Sequence, residues 1–432
     1  MIKSLTVWWA GAQVGVLRID QHGDLEFAYA PAWLADPRAR AISISLPMQP
    51  EPFNRRQTRP FFAGLLPDEG QRDTVAQALG VSAANDFRLL EQLGGDIAGA
   101  LSLWPEGETP PSPKGIAATE PLDDDAFVEV LDLLPRRPFL AGDKDIRLSL
   151  AGAQQKLPVV LVNGKVAVPA PGQPSTHIIK PPIPRFSGTT ENEAFAMRLA
   201  AALHLKVAAV EPRRVKDRPY LLIERYDRAV RADGRIERLH QEDFCQAMGI
   251  APERKYAAEG GPVFRDCFGL VRGACTPPAP AILGLVDAAI FNVLVGNADA
   301  HGKNFSLIYQ PNGIALGPLY DLMCTAAYPE IHAKLAMKVG GRATLAEFTP
   351  DTWDDFAGEV AVGAPYVRRR ARQLANQALA AIAAVAGLIA DEGFGGGDLN
   401  RFAEVVRERA KILVAISEGA RQPRPPPTRR NR

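Results

Sequence analysis

Cysteine is scarce in this 432-residue chain: four residues, Cys245, Cys267, Cys275 and Cys324. They stand too far apart for a CxxC metal pair and are too few for a disulfide framework, so reduced thiols are expected. An excess of charge of one sign is also missing. Fifty Lys plus Arg face 49 Asp plus Glu, a formal charge of +1, so the molecule as a whole advertises no polyanionic partner and only local clusters can do so. No stretch has the run of about 20 strongly apolar residues that a membrane span requires. The longest uncharged stretch, 373–390, is mostly alanine and contains Gln373, Asn376 and Gln377; it reads as a buried helix. The N-terminus, MIKSLTVWWAGAQVGVL, holds one Lys and the polar Gln13 and continues as a strand-like pattern, unlike a signal peptide. A cytoplasmic protein without membrane association is expected. Internal repeats are absent, and 47% hydrophobic and 23% charged residues with 37 Gly and 37 Pro exclude collagen, coiled coil and wholesale disorder.

The length allows two or three domains at about 150 residues each. Residues 1–46 alternate apolar and polar positions around Gly-containing turns, which predicts a small meander of strands. Phe61 to Ala98 turns helical. The Pro-rich segment 104–121, WPEGETPPSPKGIAATEP, lacks periodicity and reads as a linker. It sets a first domain, 1–103, apart from a second strand-rich region, 122–235. There LPVVLVNGKVAVP places Asn163-Gly164 between two β-rich arms, a strong hairpin signal. Helical patterns dominate 236–418, broken by the hairpin NFSLIYQPNGIAL and ending in two long helices, Arg368 to Ala390 and Asp398 to Ile416. The tail 419–432 has five Arg, four Pro and no acid, a composition that predicts disorder.

Chemistry concentrates in Gly296 to Met323, GNADAHGKNFSLIYQPNGIALGPLYDLM. It follows the apolar helical run AILGLVDAAIFNVLV and sets Asp299, His301, Lys303 and Asn304 on the turn before a hairpin, with Asp321 after the second arm. In protein kinases an Asp that accepts the substrate hydroxyl proton precedes by five positions an Asn that holds magnesium, and a second Asp beyond a hairpin holds the metals against the phosphates. Asp299 to Asn304 has that interval. Phosphoryl transfer needs positioning more than covalent help, and short hard-oxygen side chains suit octahedral Mg2+. Taken alone, Asp299 and Asn304 are equally ordinary turn residues.

Upstream, the small-residue turn Ala151, Gly152, Ala153, Gln154, Gln155, Lys156 precedes a hairpin and could offer backbone N–H groups to phosphate as an anion nest. It matches neither standard Gly-rich phosphate motif. Lys180 ends a strand before Pro181-Pro182, where a lysine can reach the α- and β-phosphates; a solvated strand end is the bland alternative. In TTENEAFAMRLAAAL, Thr190 and Glu193 form a capping box opening a helix. Alternatively Glu193 or Glu191 pairs with Lys180; they face opposite sides of the helix, and Glu193 is preferred. Glu224, Arg225 and Tyr226 end the strand PYLLIERYDR near the junction of the two lobes, where backbone groups can meet an adenine edge.

Together SLAGAQQK (149–156), HIIKPP (177–182), ENEAFAMRLA (191–200), ERYDR (224–228), LHQEDFCQAMG (239–249), GNADAHGKNFS (296–306) and YDLMCT (320–325) resemble the HipA family of bacterial toxin serine/threonine kinases. FFAGLLPDEGQRD, Phe61 to Asp73, resembles that family's N-terminal signature, so the resemblance covers nearly the whole chain. It implies an α+β, bilobal protein-kinase-like fold: a strand-rich N-lobe that includes a small N-terminal subdomain, and an all-helical C-lobe. It implies an ATP- and Mg2+-dependent enzyme, the toxin of a toxin-antitoxin pair. By position Asp299 is then the catalytic base, Lys180 the phosphate lysine, and Asn304 and Asp321 the metal ligands. Residues 151–156 cover the phosphates, Glu224, Arg225 and Tyr226 meet the adenine, and His301, Gly302, Lys303, Asn304 and Tyr320 complete the nucleotide site. Ser149 matches the family's autophosphorylated serine, whose added charge of about −2 would repel ATP and silence the enzyme.

Leu322-Met323 replaces the Phe-Gly of protein kinases after the metal-binding Asp, so activation-loop logic does not carry over. The family further implies a small helix-turn-helix antitoxin (HipB-like), operator DNA reached through that complex, and a protein substrate such as an aminoacyl-tRNA synthetase. Arg368, Arg369, Arg370 and Arg372 could touch DNA phosphates or simply form a solvated helix start. The rival readings are a degenerate kinase fold acting as a corepressor, for which a missing catalytic position would be the sign, and a small-molecule phosphotransferase, against which the N-terminal block speaks.

Overall fold

Alternation in the first thirty residues folds as three antiparallel strands, β1 (Lys3–Trp9), β2 (Ala12–Ile19) and β3 (Leu25–Tyr29), which β4 (Leu101–Pro105) joins beside β1 in the order β3–β2–β1–β4. The computed structural model describes residues 3–112, 119–143 and 146–419. Between β3 and β4 run the helices α1 (Pro31–Ala35), α2 (Arg55–Ala63), α3 (Glu69–Leu79) and α4 (Asp86–Leu93). The expected linker begins late, because Trp104 and Pro105 still belong to β4; its residues 113–118 and the tail 420–432 lie outside the described residues.

After α5 (Asp124–Leu133) comes an antiparallel sheet of five strands, β5 (Leu157–Val162), β6 (Lys165–Ala167), β7 (His177–Lys180), β8 (Val210–Val215) and β9 (Arg218–Glu224), ordered β6–β5–β7–β9–β8. The β5–β6 hairpin turns at Asn163 and Gly164, both with positive φ (52° and 80°), the two-residue turn that Asn-Gly favours. Helix α6 (Thr189–Ala202) crosses this sheet, and the ribbon β10 (Arg228–Val230) with β11 (Ile236–Arg238) follows it.

The second lobe is helical: α7 (Phe244–Ala247), α8 (Phe264–Ala274), α9 (Pro278–Val295), α10 (Thr352–Glu359), α11 (Ala364–Ile389) and α12 (Gly397–Ser417). It is not all-helical. β12 (Gln241–Asp243) pairs with the expected hairpin, β13 (Ser306–Gln310) and β14 (Gly313–Leu316), in a three-stranded sheet, which satisfies the backbone polar groups of these segments. α9 and the stretch Ala364–Phe394 have the length and hydropathy of a membrane span. α9 is buried almost throughout its C-terminal half. α11 is only half-buried, contrary to expectation: Val367, Ala371, Leu374, Ala375, Ala378, Ile382, Val385 and Ile389 form an inward stripe at helical spacing, and Ala380, Ala383 and Ala384 face outward.

Two apolar cores organise the molecule. One fills the helical lobe and reaches α6; the other runs without a break from the first sheet into β5, β7 and β9. The N-terminal region therefore packs on the five-stranded sheet as one layer on another. A buried ionic cluster pins it there. Asp96, 3% exposed, faces Arg228 (2.9 Å), Arg238 (3.3 Å) and Arg225 (3.4 Å) and accepts from the Ser175 N–H at 3.0 Å. Arg225 is held in turn by Asp227 at 2.8 Å. Burial would raise the Asp96 pKa, but the three guanidinium groups outweigh it and hold the carboxyl far below the usual range. Its contribution to stability is thus present above the ordinary carboxylate pKa near 4 and is lost in strong acid. Asp96→Asn leaves buried guanidinium charge uncompensated and is expected to lower unfolding free energy by about 3–5 kcal/mol. Chemical denaturation at neutral pH measures this, and an unchanged midpoint would show that the cluster adds no net stability.

Candidate active site

A cleft of about 530 Å³ separates the five-stranded sheet from the helical lobe, within the size range of small-molecule sites. Its polar centre is Lys180. β7 delivers this lysine beside Leu221 of β9, and Pro181-Pro182 stop the strand there. Its Nζ donates at 2.7 Å to Glu193 Oε1 and at 2.7 Å to Asp321 Oδ1, so one ammonium joins α6 to the helical lobe. Burial alone would push Lys180 down; the two carboxylates more than reverse that and keep it charged.

The expected capping box does not form. α6 starts at Thr189 behind Gly188 with no side-chain cap, and among the described residues the buried Thr190 hydroxyl has no partner. Glu193 turns to Lys180 instead, since a charge-assisted bond is stronger than a neutral cap. Burial raises the Glu193 pKa and Lys180 opposes it. Burial would raise Asp321 as well, but Lys180 and Lys156 hold it down to about 2. Asp321 has φ +58°, a conformation costly for a non-glycine residue that surroundings must enforce.

The turn that carries Asp299 is built at the end of α9, where Gly296 closes the helix in the left-handed conformation (φ 70°), as helix ends commonly require. Asn304 Nδ2 donates to the Asp299 carbonyl at 2.9 Å, which leaves its amide oxygen as the group available to a cation. Asp299 Oδ1 accepts from Tyr256 Oη at 2.7 Å. Burial pushes the Asp299 carboxyl up to about 6 while the tyrosine pulls it down; because 54% of this side chain is exposed, water limits the shift. His301 is buried, driven down to about 3 by desolvation and by Lys255 and Lys303, and so is neutral at physiological pH. Tyr256 meets its ring edge-on at 4.9 Å. Lys303 Nζ donates to Asp68 Oδ1 at 2.8 Å. Tyr320 Oη lies 2.7 Å from both the Lys303 carbonyl and Ser306 Oγ, and its ring stacks on Tyr226 at 6.0 Å.

Over the cleft, Ala151 to Lys156 form an open loop. Among the described residues the N–H groups of 151–155 donate to no protein acceptor, consistent with an anion nest. Gly152 has φ +112°, and a Cβ there would lie 2.5 Å from Lys156 Nζ. That amine folds back to the Ala151 carbonyl at 2.5 Å, and burial together with Lys180 lowers its pKa to about 8. At the far end of the cleft the N–H groups of Glu224 and Arg225 already donate to Ala209 and Thr176. Among the described residues the Tyr226 and Asp227 amides are the two in this connection still unengaged. The Arg225 side chain is not solvated but sits in the Asp96 cluster.

Ser149 is fully buried; its Oγ donates to the Leu65 carbonyl at 2.9 Å and its N–H to the Asp96 carbonyl at 3.0 Å. The arginines of α11 do not line the cleft. Arg368 pairs with Asp354, Arg370 with Asp287 and Arg372 with Glu418, and Arg369 lies over the Tyr366 ring.

The cleft thus gathers Lys180, Glu193, Asp299, Asn304, Asp321, His301, Lys303, Tyr320 and the 151–156 loop. It also takes in Asp68, Lys255 and Tyr256, and an apolar wall of Ile178, Met197, Ala208, Ile223 and Met323, none of which sequence reasoning assigned to it. Asp68 lies inside the Phe61–Asp73 block, the one signal that marked it; Lys255 and Tyr256 carry no motif. Among the described residues no group of three or more His, Cys, Asp or Glu could hold a metal. That fits Mg2+, which takes one or two protein oxygens and completes its shell with phosphates and water, and Asp321 and Asn304 offer that donor set.

Comparisons with known proteins agree with this geometry. Residues 148–385 match the family model of the HipA-like C-terminal domain, and 5–104 that of the HipA N-terminal domain. A Sinorhizobium fredii protein named as a candidate kinase, Y4mE, is 55% identical over 95% of this chain and 99% of its own. The serine/threonine-protein kinase toxin HipA of Shewanella oneidensis is 33% identical over 68% of this chain and 67% of its own. The solved complex of Shewanella oneidensis HipA, HipB and operator DNA contains a chain that superposes with a TM-score of 0.80 at 26% identity, covering 96% of both chains. With both halves matched in order and the kinase-like bilobal fold shared, this chain belongs to the HipA family.

Proposed function

We propose that the chain is an ATP- and Mg2+-dependent serine/threonine protein kinase that acts as the toxin of a toxin-antitoxin pair. The observation that carries the reading is the Lys180 ammonium set 2.7 Å from both Glu193 and Asp321, the arrangement that readies a kinase cleft for a triphosphate. Lys180 and Lys156 would take phosphate oxygens, the 151–155 amides the remaining ones, and the apolar wall with Tyr226 the base. Asp321 and the Asn304 amide oxygen would hold Mg2+, which neutralises charge on the β- and γ-phosphates. Asp299 accepts the proton of the attacking hydroxyl; the oxygen bonds to the γ-phosphorus, and the β–γ bridging oxygen departs with ADP. Tyr256 fixes which Asp299 oxygen faces the incoming hydroxyl.

The match to the HipA–HipB–DNA complex supports a HipB-like antitoxin and operator DNA as partners. Phosphorylation of Ser149 would place charge where no room exists, break its contact with Leu65 and expel the 151–156 loop. A cellular protein, with an aminoacyl-tRNA synthetase the family-based candidate, is the substrate.

Purified protein incubated with γ-labelled ATP and Mg2+ is expected to carry label on Ser149, and chelation of the metal is expected to abolish it. Asp299→Asn should slow transfer by about 10²–10⁴-fold, the usual worth of a general base; label that persists in both Asp299→Asn and Asp321→Asn overturns the assignment. With the Asp299 carboxyl pushed up to about 6, the base is lost as pH falls, so kcat/KM should decline on the acid side of about pH 6. A rate that stays level down to about pH 4.5, near the ordinary carboxylate value, would show that the Asp299 carboxyl is not raised in the working enzyme.

A further inference from the structure

The Leu65–Gln71 segment of the N-terminal region enters the cleft from outside both kinase-like lobes. Asp68 stands at the N-cap of α3, where an Asp ordinarily caps its own helix, yet its side chain makes no capping bond. Its carboxylate turns instead into the cleft, 8% exposed, with Lys303 Nζ at 2.8 Å and Lys255 Nζ at 3.5 Å. Burial would raise its pKa, and the two ammonium groups outweigh that. The neighbouring Glu69 adds a second carboxylate to Lys255 at 2.8 Å.

The same segment also grips the phosphate loop. The Asp68 N–H donates to the Gly152 carbonyl at 3.2 Å. The Gln71 amide, oriented so that its nitrogen faces carbonyls, donates to Gly152 at 2.8 Å and to Gln154 at 3.2 Å. One residue, Asp68, therefore touches the loop that covers the phosphates through its backbone and the turn that carries Asp299 and Asn304 through its side chain. Those two elements lie on opposite walls of the cleft, and the contacts of Asp68 span it.

We infer that Asp68 is a positioning residue for phosphoryl transfer: it fixes the distance between the phosphate loop and the catalytic turn by bridging Gly152 to Lys303 and Lys255. This rests on the kinase reading above and deepens it, because it makes the N-terminal region part of the active site. Without the carboxylate, Lys303 is released into the cleft, where its ammonium can still attract ATP, so ground-state binding survives. The alignment of the γ-phosphate with Asp299 does not, and misplacements of about 1 Å cost up to 10²-fold in rate.

The test compares the full-length wild type with Asp68→Asn, Asp68→Glu, Lys303→Gln and the Asp68→Asn/Lys303→Gln double variant, using ATP turnover and hydrogen exchange. Asparagine caps helices as well as aspartate does, so Asp68→Asn leaves α3 intact. It should lower kcat by about tenfold to a hundredfold with KM for ATP within about threefold of wild type, and Asp68→Glu should restore part of the rate. In the double variant the losses should not multiply, since both substitutions cut one bridge. Exchange should quicken in 149–156 and not across the chain. Wild-type turnover in Asp68→Asn, a rise in KM that accounts for the whole loss, a gain in activity, or multiplying losses would each overturn the inference. If Asp68→Asn does not fold, Asp68→Glu decides it: a lowered kcat with exchange quickened only in 149–156 supports the inference, and wild-type kcat with wild-type exchange there overturns it. A wild type that transfers no phosphate would instead refute the kinase reading itself, which separates the two failures.

Discussion

An ammonium ion buried between two carboxylates cannot be moved cheaply, and the position of Lys180 determines much else in this molecule. Glu193 and Asp321 reach it from different lobes at 2.7 Å each. Removing either would strand charge in a place where water does not reach. The contact therefore fixes α6 against the five-stranded sheet and sets the strained backbone at Asp321, φ +58°, which aims that carboxylate into the cleft. The depressed pKa of Asp321 keeps it anionic across the physiological range, as the proposed role of cation ligand requires.

The N-terminal region supplies the second constraint. It shares an apolar core with β5, β7 and β9 and is locked by the Asp96 cluster, in which Arg225 and Arg228 follow directly on β9 and Arg238 ends β11. The strand end expected to meet the nucleotide base is therefore stiffened from behind by residues of the first hundred. The turn that carries Asp299, the 151–156 loop and the connection after β9 all lean on that region.

Local patterns were legible where the physics is local. Asn163-Gly164 gave a two-residue hairpin turn and the Pro311–Gly313 turn another, and the five-residue interval from Asp299 to Asn304 marked a turn that the structure brings into one cleft with Asp321. Readings failed where a distant charge or surface decided the outcome. Thr190 and Glu193 have capping-box spacing, but Lys180, thirteen positions earlier, claims the glutamate. Alanine-rich α11 looked buried because alanine does not distinguish inside from outside. Asp68 has the look of a helix cap; nothing in its neighbourhood of the chain reveals lysines more than 180 positions later.

Ser149 has no accessible surface, and both its hydroxyl and its N–H are tied to the N-terminal region. A donor of any kind can meet that oxygen only in the intervals when Leu65 and Asp96 let go. Any modification at this position would therefore be timed by the breathing of the protein, its speed counting openings in the way a turnstile counts visitors, whatever chemistry waits outside.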